Sequence, residues 1–390
     1  MAYNFDELID RTQTNTVKYD RRKVLFGGDD VLPMWVADMD FRTPDFVIDA
    51  IQERLKHGVL GYTLHPDSFF EAISSWLLRR HGWEVKRNWM LFNPGVVPGI
   101  NMAVHAFTQA GDQIVIQTPV YHPFFAAATD HGRHILRNPL KIVDGRYEMD
   151  FEDLRKKVTK RTKLFLLSHP HNPGGTVWSA DTLQKLGDFC IEHGIVIVSD
   201  EIHADLILGE KAHIPLAKVS PEIAEITVTL SAASKTFNLA ALSTSYAIIS
   251  NKKLRDLFET VLVSWHVFMG NAPGTIATET ALNQGEAWLC ELLDYIRGNY
   301  EYVCQYMAAN FPKLVIMPLD ATYLLWMDFR ALNLTHEELE HKMFREAKIG
   351  CNSGKMFGDE GRGFMRLNLA HPRAHVVQAC EHIAATFGNL

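Results

Sequence analysis

The chain reads as an α/β protein built on a mostly parallel sheet, with a smaller α+β part after it. From about residue 90, short apolar runs alternate with amphipathic stretches, the pattern of parallel strands with helices on both faces. Polar side chains suited to chemistry follow those runs at once: Thr118-Pro119 and Tyr121, Ser168 to Asn172, Asp200 and Lys235. In such sheets ligands gather at the carboxyl ends of strands. After about residue 288 the alternation loosens, which predicts the second, smaller part.

Taken in order, residues 1–42 are mixed, with a turn at Gly27-Gly28-Asp29-Asp30 and the unusual run Trp35-Val36-Ala37-Asp38-Met39-Asp40-Phe41. A helix follows in which Thr43 can cap, Pro44 suits the first turn, Val47, Ile51 and Leu55 recur at four-residue spacing, and Gly58 can close. Beyond the polar loop Gly61-Tyr62-Thr63 comes a second amphipathic helix carrying Phe69, Phe70, Ile73, Trp76 and Leu77, closed by Gly82. Ile114 to Ile116, Leu164 to Leu167, Ile195 to Val198, Ile226 to Leu230 and Tyr246 to Ile249 read as buried strands; Ile100 to Phe107, Leu154 to Val158 and Leu183 to Cys190 read as helices. The last part predicts a helix over 288–310, a strand over 323–329, an amphipathic helix over 335–347, a glycine-rich loop over 350–363 and a strand ending in Arg366-Leu367-Asn368. The expected division is a large unit, 44–288, and a small one formed by 1–43 with 289–390.

The 390 residues are 47% apolar and 22% charged, an ordinary globular composition. A net charge of -7 argues against nucleic-acid binding, which needs clustered Lys and Arg. Cys190, Cys290, Cys304, Cys351 and Cys380 lie far apart with no C-x-x-C pair, so reduced thiols are expected, not a disulfide framework or a zinc site. The N-terminus has no signal-peptide pattern, and no apolar run approaches a membrane span. A cytoplasmic protein is the expectation.

Lys235 follows the apolar run 226–230 and the two hydroxyls Ser231 and Ser234. A primary amine there is sited to condense with an aldehyde, and pyridoxal 5'-phosphate is the cofactor held this way, with an acid pairing its ring nitrogen. Asp200, at the end of Gly194 to Ser199, can be that acid; an aspartate after a strand also serves as a turn former. Asn93 to Gly99 precedes the apolar helix and suits a phosphate at its free N–H groups, or is a simple glycine turn. In Ser168-His169-Pro170-His171-Asn172-Pro173-Gly174-Gly175, Asn172 can donate to the cofactor's phenolate oxygen or merely shape the turn. The two histidines there invite a metal, but no third ligand has a fitting spacing. Arg366 suits an α-carboxylate or a structural ion pair.

Asn-Pro-Gly-Gly at 172–175, Ser-Asp-Glu-Ile-His at 199–203, Ser-x-x-Ser-Lys-Thr-Phe-Asn at 231–238 and Arg-Leu-Asn at 366–368 resemble, in order and spacing, the fold-type I pyridoxal phosphate enzymes of the class I/II aminotransferase superfamily. Ala37 to Phe41, Gly61-Tyr62, Pro119-Val-Tyr121, Asp200 to Asp205 and Gly358 to Gly363 are most similar to its cystathionine β-lyase branch of C–S lyases. The resemblance implies a large domain with a seven-stranded sheet and a homodimer with active sites at the interface. By the same resemblance, Lys235 carries the cofactor, Asp200 pairs the pyridine nitrogen, Asn172 and His203 lie near the phenolate oxygen, and Tyr121 stacks on the ring. Gly95, Val96, Ser231 and Ser234 surround the phosphate, with Tyr62 arriving from the partner subunit. Arg366, with Ala37, Asn172 and Tyr62, holds the amino-acid substrate, and Trp35, Phe268 and Met356 are candidates for the far end of its pocket.

Two departures favour the lyase branch. Ser243 stands where aspartate aminotransferases have a phosphate-binding arginine, and His203 where they have a tyrosine. The implied reaction is β-elimination from an L-cysteine derivative, with Lys235 as base on Cα and Tyr121 or Lys235 as acid for the leaving sulfur. Two other readings stay open: an aminotransferase, and a regulatory or binding protein on the same scaffold.

Overall fold

The structure, a computed structural model, describes residues 3–390. Seven strands form the main sheet: β1 (Met90–Asn93), β2 (Gln113–Thr118), β3 (His134–Pro139), β4 (Thr162–Ser168), β5 (Val196–Asp200), β6 (Thr227–Ser231) and β7 (Ser245–Ile248). They lie in the order β1-β7-β6-β5-β4-β2-β3. β7 is antiparallel to β1 and β6, and the other pairings are parallel. The sheet is therefore mostly parallel and seven-stranded, as expected.

The central strands are apolar throughout because both faces are covered. Ile114, Ile116, Leu164, Leu166 and Val198 pack on one face with Ile100 and Val104, whereas Val115, Phe165, Leu167 and Ile197 pack on the other with Leu183 and Leu186. The two edge strands, β1 and β3, are the ones that periodicity does not reveal. β3 reads His-Ile-Leu-Arg-Asn-Pro with an exposed start, and Pro139 is tolerated at its end because an edge strand needs fewer donors.

Five helices matter for the site and its support: α1 (Asp45–Lys56), α2 (Asp67–His81), α3 (Val96–Phe107), α4 (Glu286–Asn310) and α5 (Arg373–Phe387). Thr43 does not cap α1: Pro44 occupies the cap position without a side-chain bond, and the Thr43 hydroxyl donates to the Asn238 carbonyl instead (3.4 Å). Gly82 closes α2 at φ +57, a left-handed turn that glycine adopts without strain. α3 starts at Val96, earlier than its apolar run suggests.

A second sheet, β8 (Val315–Ile316), β9 (Leu324–Asp328), β10 (Asn352–Ser353) and β11 (Phe364–Asn368), is antiparallel in the order β8-β9-β11-β10. Leu292 and Ile296 of α4 and Val376 and Ile383 of α5 pack in one core with Leu325 and Leu367. Leu32–Pro33 pairs with Ile349–Gly350, so the N-terminal segment lies on this part of the chain. The helix expected over 335–347 divides: a capping box at Thr335 opens His336–His341, and Lys342–Glu346 continues as a π-helix. No helix among the described residues is long and apolar enough to cross a membrane.

Candidate active site

The carboxyl ends of β2, β4, β5 and β6 open onto a cavity of about 350 Å³, lined by Lys235, Asp200, Asn172, Tyr121 and His203 among others. Lys235 stands on a four-residue helix, Ala233–Thr236, immediately beyond β6. Its Nζ donates to the Ala37 carbonyl at 2.6 Å. Burial pushes its ammonium down to about 8; Asp38 and Asp200 oppose the shift, and Arg366 and Lys18 add to it. A lysine so placed loses its proton easily enough to act as a nucleophile or base.

Asp200 ends β5. Burial pushes its carboxyl up to about 7, against the N–H of Ile202, donating at 3.2 Å, and the charge of Lys235. Such a group takes its charged form when a cation is set beside it. His203, three residues on, is buried, and burial pushes it down to about 3, so the ring is neutral. Its Nδ1 has no partner among the described residues. The Tyr121 N–H donates to the Asn172 carbonyl (3.2 Å), and burial raises the Tyr121 phenol.

Arg366, on β11, is buried. Its Nη1 donates to Asn172 Oδ1 (2.8 Å) and its Nη2 to Asn352 Oδ1 (2.6 Å) and the Trp35 carbonyl (3.2 Å). Its Nε has no partner among the described residues, and the anionic forms that bear on it are the weak acids Tyr121, Tyr323 and Cys351. Burial pushes the guanidinium down to about 10. A buried cation held only by neutral amides and carbonyls is costly, and a ligand carboxylate would relieve it.

Gly95, Val96 and Val97 also line the cavity, with Ser234, Ser243 and Thr244. Val96 and Val97 open α3, where first-turn amides have no intrahelical acceptor. Gly95 has φ +130, which a side chain would strain, but its N–H is already committed to Ser245 Oγ (3.0 Å). Ser231 departs from the expected phosphate shell: its hydroxyl donates to the Glu201 carbonyl (3.2 Å), satisfying a buried acceptor, and it does not line the cavity. Among the described residues lining this cavity, Lys235 is the one lysine or arginine.

Tyr62 does not join Lys235 within one chain. It is 97% exposed and borders a separate cavity of about 530 Å³ with Leu60, Met269 and Asn271. Trp35 and Met356 line another, of about 320 Å³, beside Asn352, whereas Phe268 packs with the core on one face of the main sheet. Ala37 is placed by its carbonyl, which accepts from Lys235 and from Tyr323 Oη (2.9 Å).

Several residues that hold the site have no local signal in the sequence. Lys18 is fully buried and pairs with Asp38 (2.8 Å) and Asp40 (3.1 Å), and Arg11 pairs with the same two carboxylates. Asn368 Nδ2 donates to the carbonyls of Val36 and Asp38, both at 2.7 Å. Asn238 exchanges bonds with the backbone of Met39 (2.9 and 3.0 Å). Asp38-Met39-Asp40 stands out as a run, but its partners lie some 20 to 330 residues away, beyond any periodicity. The ligand atoms of Asp40, His371 and His375 lie within 4.8 Å of one another, yet Lys18 and Arg11 already set two cations on that carboxylate. His169 and His171, the pair that invites a metal, donate instead to the carbonyls of Ile214 and Pro119 (2.9 Å each).

Residues 29–383 match the family model for aminotransferase class I and II. Cystathionine beta-lyase PatB of Bacillus subtilis (strain 168) is 45% identical over 383 residues, spanning 98% of this chain and 99% of that protein. Protein MalY of Escherichia coli (strain K12) is 34% identical over 378 residues, 95% of each. Among solved structures, cystalysin from Treponema denticola, which contains a pyridoxal 5'-phosphate cofactor, matches with a TM-score of 0.97 and 34% identity over 100% of both chains.

Proposed function

Because this chain belongs to the class I and II aminotransferase family, we propose that it holds pyridoxal 5'-phosphate on Lys235 and cleaves the carbon–sulfur bond of L-cysteine S-conjugates, cystathionine among them. The reaction is an α,β-elimination that releases a thiol (homocysteine from cystathionine), followed by hydrolysis with one water to pyruvate and ammonia. One observation carries the reading: a half-buried amine and a buried carboxyl share a cavity with Asn172, whose side chain accepts from an arginine with no carboxylate partner among the described residues. The similarity to PatB favours elimination over transamination.

Asp200 pairs the cofactor's ring nitrogen, and that cation draws its carboxyl back to the charged form. Asn172 and neutral His203 would lie by the phenolate oxygen, Tyr121 would lie against the ring, and Val96 and Ser234 would receive the phosphate, with Gly95 giving the backbone room to approach it. Ser231 supports this shell from behind, through Glu201. Bound there, the cofactor supplies an electron sink for the pair left at the substrate's Cα. Arg366 grips the α-carboxylate with its guanidinium fork, helped by Asn172 and Ala37. Lys235 would take the Cα proton, since burial lowers its ammonium to about 8 and leaves an appreciable fraction of free amine near neutrality. The leaving sulfur is protonated by the Lys235 ammonium so formed or by Tyr121, whose phenol burial keeps protonated.

The proposal includes a homodimer in which Tyr62 of each copy completes the other's cavity, and a division into a large unit, 44–288, and a small one, 1–43 with 289–390. Cytoplasmic location fits an enzyme of free amino acids with five unpaired cysteines.

The test is the purified protein with pyridoxal 5'-phosphate and L-cystathionine. A visible absorbance band and pyruvate release without any 2-oxo acid are expected, both lost in Lys235→Ala. Strict dependence on a 2-oxo acid would make the enzyme an aminotransferase, and a protein that takes up no cofactor would refute both.

A further inference from the structure

Lys235 stands on a helix of four residues, whose N-cap, Ala232, makes no side-chain bond. A single turn is not stable alone, because nucleation fixes several dihedrals for one hydrogen bond. What holds it lies next to it. Thr236 is fully buried, and its hydroxyl donates to Asp205 Oδ2 at 2.9 Å. Asp205 Oδ1 accepts from Trp76 Nε1 and His81 Nε2, both at 3.0 Å and both on α2. Asp205 itself belongs to the turn that leaves β5, five residues after Asp200 and two after His203; within it the Leu206 N–H donates to the His203 carbonyl (3.0 Å) and the Ala204 N–H to that of Glu201 (3.0 Å). One buried carboxylate thus ties the turn bearing Asp200 and His203 to the turn bearing Lys235, and anchors both to α2.

We propose that Asp205 is a positioning residue for the reaction: through Thr236 it fixes Lys235 relative to Asp200, so that the amine stays aligned with the group it must deprotonate. Asp205 touches neither cavity nor substrate; it is absent from the cavity lining. Its position beside the site is independent of Asn238, which clamps the other flank of Lys235 to Met39. A buried anchor on one side of the catalytic lysine and a half-buried one on the other are what preorganisation requires, since a displacement near 1 Å can cost about 100-fold in rate. The inference rests on Lys235 being the cofactor's anchor.

The experiment compares holoenzymes of Thr236→Val, which removes only the hydroxyl, and Thr236→Ser, which keeps it. For Thr236→Val we expect kcat about 10- to 100-fold lower with KM within about 2-fold, and faster cofactor loss on dilution, followed by the visible band without substrate. Thr236→Ser should restore both. Asp205→Asn, which offers one oxygen to three donors, should behave like Thr236→Val and decides the matter if the valine variant does not fold. Wild-type kcat and wild-type cofactor loss in both Thr236→Val and Asp205→Asn would overturn the proposal, as would a serine variant as impaired as the valine one. Absence of a visible band in the parent protein would instead refute the reading of Lys235.

Discussion

Arg366 has a guanidinium already shared between Asn172 and Asn352, and its Nε has no partner among the described residues. Lysine would place a point charge where a planar fork is needed. Arg366→Lys should therefore raise KM by about 10- to 100-fold while the visible band stays, checked by steady-state kinetics beside an absorbance spectrum. Asp200 makes a prediction in pH. Its folded carboxyl, pushed up to about 7, holds a proton that the unfolded chain releases near pH ~4. Stability of the cofactor-free protein therefore falls as pH rises from about 4 to about 7. Asp200→Asn cannot ionise and can still accept from Ile202, so it should stabilise the cofactor-free protein at pH 8 by up to about 4 kcal/mol and by far less near pH 4, measured by urea unfolding at both pH values. At this scale Lys235, Asp200 and Asn172 are legible in sequence because each ends an apolar run, and strand ends in a parallel sheet converge. Ser231 too ends a run, but its hydroxyl donates to the buried Glu201 carbonyl, a partner no local pattern announces.

Among the elements, the N-terminal segment is the least legible and the most consequential for the site. It has little regular structure, yet it delivers the Ala37 carbonyl to Lys235, and it is held by Lys18, Asp38, Asp40 and Arg11. Removing one partner of a buried ion pair leaves a charge uncompensated. Lys18→Ala should cost about 3 kcal/mol in denaturant unfolding, with Arg11 limiting the loss, and should lower kcat by displacing Ala37. The five buried strands are readable as apolar runs because both faces are covered. β1 and β3 escape because an edge strand can be short or polar. The π-turn at 342–346, where the Ala347 N–H reaches back to Lys342 (2.8 Å), has no local sequence rule, and Thr335 and Glu338 announce only the start of that helix.

At the scale of the whole molecule, Leu60, Tyr62 and Leu64 are 68%, 97% and 87% exposed, an apolar tip beside Met269 that a lone chain leaves in water. If a second copy covers it, Leu64→Glu should shift the protein from dimer to monomer in sedimentation velocity, and pyruvate release should fall with it, since Tyr62 would no longer reach a partner's site.

The sequence by itself determined the α/β class, the strand ends that carry chemistry and, through motif order and spacing, the family to which the chain belongs. Those properties are local: an apolar run buries itself whatever its neighbours, and a lysine after such a run ends up beyond the carboxyl end of a strand. Only the tertiary structure decided that Arg366 lacks a carboxylate partner among the described residues, that Ser231 turns to Glu201, that Lys18 is sealed against Asp38 and Asp40, and that Asp205 braces Lys235 through Thr236. Each of these is a contact between distant segments, set by the competition of many buried donors and acceptors for few partners, and no window of sequence contains both sides of that competition.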